Sequence, residues 1–149
     1  MSDHLASPYI PVRWDASVAH ARCYPANRNL LFGEGWVEQP HRAPHPRCKC
    51  GIYAAYRPAA RGPIPDRGRT FGVVTLWGQI EAHPQGMRAE HARIEALAFC
   101  RELGGRHREQ IESIAESLGV DCVEHSRLAA VAGGYGSPLP ASLVPAAGD

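Results

Sequence analysis

The segment from His41 to Gly51, His-Arg-Ala-Pro-His-Pro-Arg-Cys-Lys-Cys-Gly, sets the tightest limit on how this chain can fold. It contains almost no large apolar side chain, so hydrophobic burial alone gives it little reason to order. What it offers instead is two cysteines and two histidines close together, with Pro44 and Pro46 stiffening the approach. Thiolates one residue apart, followed by glycine, can turn around a metal ion while backbone N–H groups point at the sulfurs. That pattern favours a soft-ligand metal site, most often zinc. Metal binding would supply folding free energy to a stretch that otherwise buries little.

Cys48 and Cys50 need two further ligands to complete a tetrahedron. His41 and His45 are at hand, and Cys23 is the nearest upstream thiol. The expected set is Cys23, His41, Cys48 and Cys50. His45 is the reserve, because the flanking prolines restrict where its ring can point. Four protein ligands define a structural zinc site, whereas a catalytic one leaves a position for water. Three thiolates and one imidazole also permit a [2Fe–2S] cluster. A redox dithiol activated by Arg47 and Lys49 ranks below both, because C-x-C is not the usual redox spacing. The blandest alternative makes the cysteines small buried residues and the histidines ordinary loop residues. Cys100 and Cys122 lie in apolar surroundings and read as buried, unreactive thiols.

Around this segment the pattern predicts short extended stretches over 8–14 and 17–23 with a turn at Asp15. An irregular run follows over 25–46, then one or two helical turns over 51–57 that end at Pro58. A basic Pro/Gly-rich loop covers 58–68. Thr70 to Ala82 is the best strand, with Val74, Leu76 and Ile80 on one face and Val73, Thr75, Trp77, Gln79 and Glu81 on the other. Gly72 and Gly78 mark a bulge or a close backbone approach. After a turn at Pro84-Gln85-Gly86, the stretch 88–100 reads equally as helix or as a strand pairing back. Gly105 to Gly119 is the clearest helix, with Ile111, Ile114, Ala115 and Leu118 in one stripe and Gly119 as its stop. A short strand over 120–123 closes the pattern. The expectation is a single α+β domain over 1–128, with a mostly antiparallel sheet, one main helix and a metal-stapled irregular segment. An Ala/Gly/Pro-rich flexible tail is expected over 129–149.

Glu81, His83, Glu90 and His91 flank the Pro84 turn and resemble an acid–base or metal set, although such groups are most often surface polar residues around a turn. Arg88 could pair with Glu90 or Glu81. Trp36 and Trp77 read as core or rim aromatics.

Charge is nearly balanced, at a formal +1 over 149 residues, but it is unevenly spread. Arg42, Arg47, Lys49, Arg57, Arg61, Arg67 and Arg69 face Asp66 alone between 41 and 70, while acidic residues concentrate from Glu90 to Glu124. The basic 41–70 segment could meet nucleic acid, but the weak overall field makes another protein the favoured partner. No apolar stretch reaches membrane-spanning length, and no basic stretch leads into an apolar run near Met1. Five cysteines without an export signal fit a reducing, cytoplasmic setting rather than a disulfide framework.

The ordered motifs Cys48-Lys-Cys-Gly-Ile-Tyr-Ala54, preceded by His41 and Ala43-Pro44 and followed by Leu76-Trp-Gly78 and Gly86-Met-Arg-Ala-Glu90, resemble a group of small uncharacterised proteins from high-GC actinobacteria. The resemblance runs from about Ala21 to Val123. It implies a metal site and a fold, and no activity. No P-loop, G-x-S-x-G, H-E-x-x-H or G-x-G-x-x-G signature occurs. A zinc-stabilised binding or regulatory module is therefore the leading expectation. The alternative is an enzyme, metal-dependent or using the acid–base set, or a [2Fe–2S] protein.

Overall fold

A computed structural model describes residues 5–6, 13–14, 16–23, 41–57 and 70–146. In chain order the elements are strands β1 (Leu5–Ala6), β2 (Arg13–Trp14), β3 (Val18–His20), β4 (Ile52–Ala55), β5 (Phe71–His83) and β6 (Gly86–Phe99). Helix α1 (Gly105–Leu118), strand β7 (Asp121–Glu124) and a short helix α2 (Leu128–Ala132) follow. Residues 25–40 of the expected irregular run over 25–46, the basic loop over 58–68 and Trp36 lie outside the described residues. So does most of the first extended stretch, although its end, Arg13–Trp14, pairs with Leu5–Ala6.

Five strands form one sheet in which β6 has every other strand as a neighbour. The hairpin partner β5 occupies one edge of β6 from Phe71↔Ala98 to His83↔Gly86. Three short strands share the opposite edge. β4 pairs antiparallel with Gly86 to Ala89, β3 antiparallel with His91 to Arg93, and β7 parallel with Ala96 to Phe99. The architecture is α+β, mostly antiparallel. The stretch with ambiguous pattern is thus the central strand. Its alanines fit because Ala89, Ala92, Ala96 and Ala98 sit between close neighbours with at most 2 % of their surface exposed. The expected helical turns over 51–57 are instead strand β4. A four-residue apolar run carries no helical period, and pairing with the near end of β6 decides its conformation.

Two bulges reset the alternation. Glu95 is an extra residue on β6, between the pairs Val74↔Ile94 and Val73↔Ala96. Because of it, Ile94 and Leu97 reach the same side and pack together against Ile111, Ile114 and Ala115 of α1. On β5, Gly78 and Gln79 together oppose Glu90, between Trp77↔His91 and Ile80↔Ala89. Gly78 has φ +83°, and a side chain there would strike the Glu90 carboxylate at 2.8 Å. This second bulge moves Ile80 off the face of Val74 and Leu76, where simple alternation placed it, and leaves it 37 % exposed. The same shift sets Glu81 opposite Arg88.

Helix α1 buries Ile111, Ile114 and Ala115 as the stripe requires, with Leu118 packed at the margin. His107, one turn before Ile111, is buried as well. Gly119 ends the helix in the left-handed conformation, its N–H returning to Ala115 and Glu116 carbonyls. Past β7, Leu128 is buried and the Tyr135 hydroxyl donates to the Asp121 carboxylate. Cys100 is buried and Cys122 packs at the edge of the helix–sheet core.

Truncating Ile111 or Ile114 to alanine should destabilise the protein by about 2–5 kcal/mol in chemical denaturation, as removal of buried aliphatic groups does. Glu109→Ala, at an exposed position, should stay within about 0.5 kcal/mol of the parent. Equal effects at all three sites would contradict this helix orientation.

Candidate metal centre

Strand β3 runs on into Cys23, and the segment from His41 to Gly51 leads into β4, so both ligand-bearing stretches are anchored on the same edge of β6. Four ligand atoms, from Cys23, His41, Cys48 and Cys50, lie within 4.8 Å of one another. Cys23 Sγ is 3.7 Å from Cys48 Sγ, and His41 Nε2 is 3.3 Å from Cys50 Sγ. Zinc with Zn–S bonds of about 2.3 Å and Zn–N bonds of about 2.0–2.1 Å spaces sulfurs by about 3.8 Å, and nitrogen from sulfur by about 3.5 Å, along tetrahedral edges. The two measured separations match those edges. The group can therefore hold a metal ion.

His45 is not in this group. Its ring packs against that of His41 with centroids 4.5 Å apart. Its Nδ1 accepts the Arg47 N–H at 3.3 Å, and its carbonyl accepts the Cys48 N–H at 2.9 Å, which closes a turn between the two residues. Gly51 then has φ +121°, and a side chain at that position would press on Pro44 at 3.1 Å and Arg88 at 3.2 Å. The glycine of C-x-C-G is needed for the close approach of the segment to the sheet as much as for its turn.

Arg88 of β6 is the residue that docks the segment. Its guanidinium is buried, with 4 % of the residue exposed. Nη1 donates to the carbonyls of Cys48 and Cys50, Nη2 donates to the His45 carbonyl at 3.0 Å, and Nη2 also meets Glu81 Oε2 at 2.7 Å. One planar fork thus satisfies three carbonyls of the Cys/His turn and is neutralised by a carboxylate on the adjoining strand. A second tie lies alongside. Arg42 Nε and Nη2 grip Glu90 at 2.6 and 2.5 Å, while Glu90 also accepts the Gln79 backbone N–H from the bulge. The Gln79 side chain donates to the Pro44 carbonyl at 3.0 Å. The β5 bulge therefore aims three polar groups at the segment: Glu81, Gln79 and, through its partner strand, Glu90.

Electrostatics in the cluster follow from crowding. Burial, together with the neighbouring Cys48 and Cys50 thiols, pushes Cys23 up to about 12. Burial likewise raises Cys50, next to Cys48, while the His45 backbone N–H works in the opposite direction. Thiols packed this closely resist joint ionisation, and a divalent cation among them reverses that preference, since the thiolate is the ligand. Cys100 and Cys122 are also raised, first by burial, in keeping with unreactive thiols.

The acid–base set around Pro84 does not converge. Glu81 is held by Arg88 and lies 3.3 Å from His83, whereas Glu90 is held by Arg42 and lies 3.7 Å from His91. These are separate pairings serving the docking of the segment. Sequence reasoning offered Glu81 as one of two partners for Arg88. It missed the Arg88–carbonyl contacts and the Arg42–Glu90 pair, since 48 positions separate the latter residues.

A cleft of about 1020 Å³ opens beside the Cys/His turn, between Pro46 to Lys49, Tyr53 to Ala55 and the β5–β6 turn. Arg47, Lys49 and His83 stand on its rim with Tyr53, whose hydroxyl donates to the Lys49 carbonyl at 2.8 Å. No helix among the described residues is long and apolar enough to cross a membrane. Scans against protein-family models, curated proteins and solved structures find no match to this chain.

Replacing Arg88 by methionine should cost about 3–5 kcal/mol, because Glu81 is left without its buried partner and three carbonyls lose their donor. Arg88→Lys should recover only part of this, since a single ammonium cannot span the same acceptors. Denaturant unfolding checks both, and a Lys variant as stable as the parent would contradict the docking role.

The Arg42 guanidinium, more than any other group, holds the Glu90 carboxyl well below the usual range, at about 2. A carboxyl depressed by folding stabilises the native state above its unfolded value of about 4.3, and that contribution fades as pH falls toward 2. Carboxyl NMR titration should place Glu90 near 2 in the parent and return it toward 4 in Arg42→Ala. An unmoved midpoint would contradict the pairing.

Proposed function

We propose that this chain is a zinc-stabilised binding module, with Cys23, His41, Cys48 and Cys50 as the ligands of one structural zinc ion. The observation that carries this reading is the mutual approach of all four ligand atoms within 4.8 Å. A two-iron cluster divides its protein ligands between two metals, which places ligand atoms on opposite irons further apart than the edges of a single tetrahedron. The compact group favours a single ion. Filling all four positions from the protein favours a structural over a catalytic ion. The separation of Glu81 and Glu90 into two docking pairs removes the leading acid–base candidates and weighs against the enzyme reading.

The partner proposed is another protein, in a cytoplasmic setting consistent with free or metal-bound thiols. The cleft beside the turn is where it would meet the module, since mixed apolar, aromatic and cationic groups gather there on a platform fixed by Arg88. Nucleic acid is the less favoured partner, because a net charge of +1 gives little long-range attraction for phosphates.

The native protein should carry about one zinc per chain by elemental analysis, and chelator should lower its melting temperature. Cobalt(II) in place of zinc should show the intense thiolate bands of a tetrahedral site, unchanged by added azide or cyanide. Spectral shifts on adding those anions would reveal an open position and favour the enzyme. Dithionite-bleachable visible absorbance would favour the iron–sulfur cluster. A metal-free protein of unchanged stability would overturn the site.

A further inference from the structure

Three rings form a row across the sheet on the side opposite the Ala92 and Ile94 side chains. His20 of β3 stands directly across from His91 of β6, and His91 directly across from Trp77 of β5. The two imidazoles meet edge to face, with their Nδ1 atoms 2.8 Å apart. The Trp77 ring lies 5.5 Å from that of His91 and is 38 % exposed. His20 is exposed and His91 half-buried, so solvent reaches the pair. Neither imidazole takes part in the thiolate cluster.

Behind His91, on the side of the ring away from His20, Glu90 Oε2 lies 3.7 Å from Nε2. That separation is too long for a hydrogen bond, but a carboxylate there favours the tautomer with its proton on Nε2. The Nδ1 lone pair then faces His20. The usual support of a metal-ligating histidine is a carboxylate hydrogen-bonded to its other ring nitrogen; Glu90 at 3.7 Å supplies the charge without that hydrogen bond. Arg42 fixes that carboxylate in place.

We propose that His20 and His91 form a second metal site, for a divalent ion of tetragonal preference such as nickel(II) or copper(II), with water completing its coordination. The two Nδ1 atoms share a hydrogen bond at 2.8 Å, which an entering ion would replace with two metal–nitrogen bonds. Nitrogen donors with water in the remaining positions give the tetragonal coordination that nickel(II) and copper(II) prefer. Neutral imidazoles suit these ions, and hydrogen-bonded neighbouring strands hold both residues in place before the ion arrives. A small rotation of each ring about its Cβ–Cγ bond turns the facing nitrogens toward a shared point. The proton between the two Nδ1 atoms moves to His20 Nε2 as the ion enters, so binding needs neither a redox partner nor a net proton acceptor. The two sites thus differ in chemistry, with thiolate-rich ligation on one side of the sheet and an imidazole pair on the other.

The test is a titration of the full chain, as purified, with nickel(II) sulfate, following tryptophan fluorescence. Nickel(II) is paramagnetic and not reduced by thiols, and Trp77 sits beside the site as a reporter. Saturable quenching at one equivalent is expected, with the metal content of the thiolate cluster unchanged after desalting. His20→Ala and His91→Ala should each weaken binding by about a hundredfold, as expected when a chelating pair becomes a single ligand. Trp77→Phe should abolish most of the quenching while calorimetry still detects the binding. Equal affinity in either histidine variant, or loss of the resident metal in step with quenching, would overturn the proposal.

Discussion

Backbone pairing along one strand organises the molecule. β6 gives one edge to β5 over its whole length, so its other edge remains for whatever the rest of the chain can supply. That edge is shared by three short strands arriving from different parts of the sequence. None of them is long enough to be a stable strand alone, and each gains its hydrogen bonds from β6. Small side chains on β6 allow this crowding. Alanine at 89, 92, 96 and 98 lets neighbours approach closely while Ile94 and Leu97 supply bulk to the helix.

The Cys/His group depends on that arrangement because its residues come from the ends of two of the short strands. Cys23 follows β3, while His41, Cys48 and Cys50 precede β4, and β6 holds both strands in order. A cation among the sulfurs and the Arg88 guanidinium act on the same ten-residue stretch from different sides. The cation would draw the side chains together, and Arg88 satisfies the carbonyls behind them. The buried Arg88 charge is offset by Glu81 2.7 Å away, and Nη1 and Nη2 meet carbonyl oxygens, while Nε is buried without a hydrogen-bond partner.

Much of this was legible in the sequence. The helix stripe, the best strand, the turn at Pro84 and the composition of the ligand group all follow from local spacing and the chemistry of the residues. β6 resisted because alanine and glutamate carry helical preference, and only its partners decide its state. β4 was misread for the same reason on a smaller scale. Ile80 was assigned to the wrong face because alternation assumes an unbroken period of two, and a single glycine does not announce whether it bulges or merely sits close to a neighbour. Arg88 and Arg42 were beyond local reasoning. Their partners lie across strands or many positions away, and an arginine that will be buried looks in sequence like any other.

Arg88 holds the Cys/His turn through backbone carbonyls, which every residue type possesses. Its grip is therefore indifferent to the side chains at Pro46, Arg47 and Lys49, all of which point outward beside the open cleft. The turn separates what must stay from what is free to change. Ligands, Gly51 and Arg88 are constrained by chemistry and space, while the outer positions can be rewritten without disturbing the anchor. A scaffold of this kind can acquire new specificities by substitution at its rim, much as a fixed socket accepts interchangeable fittings.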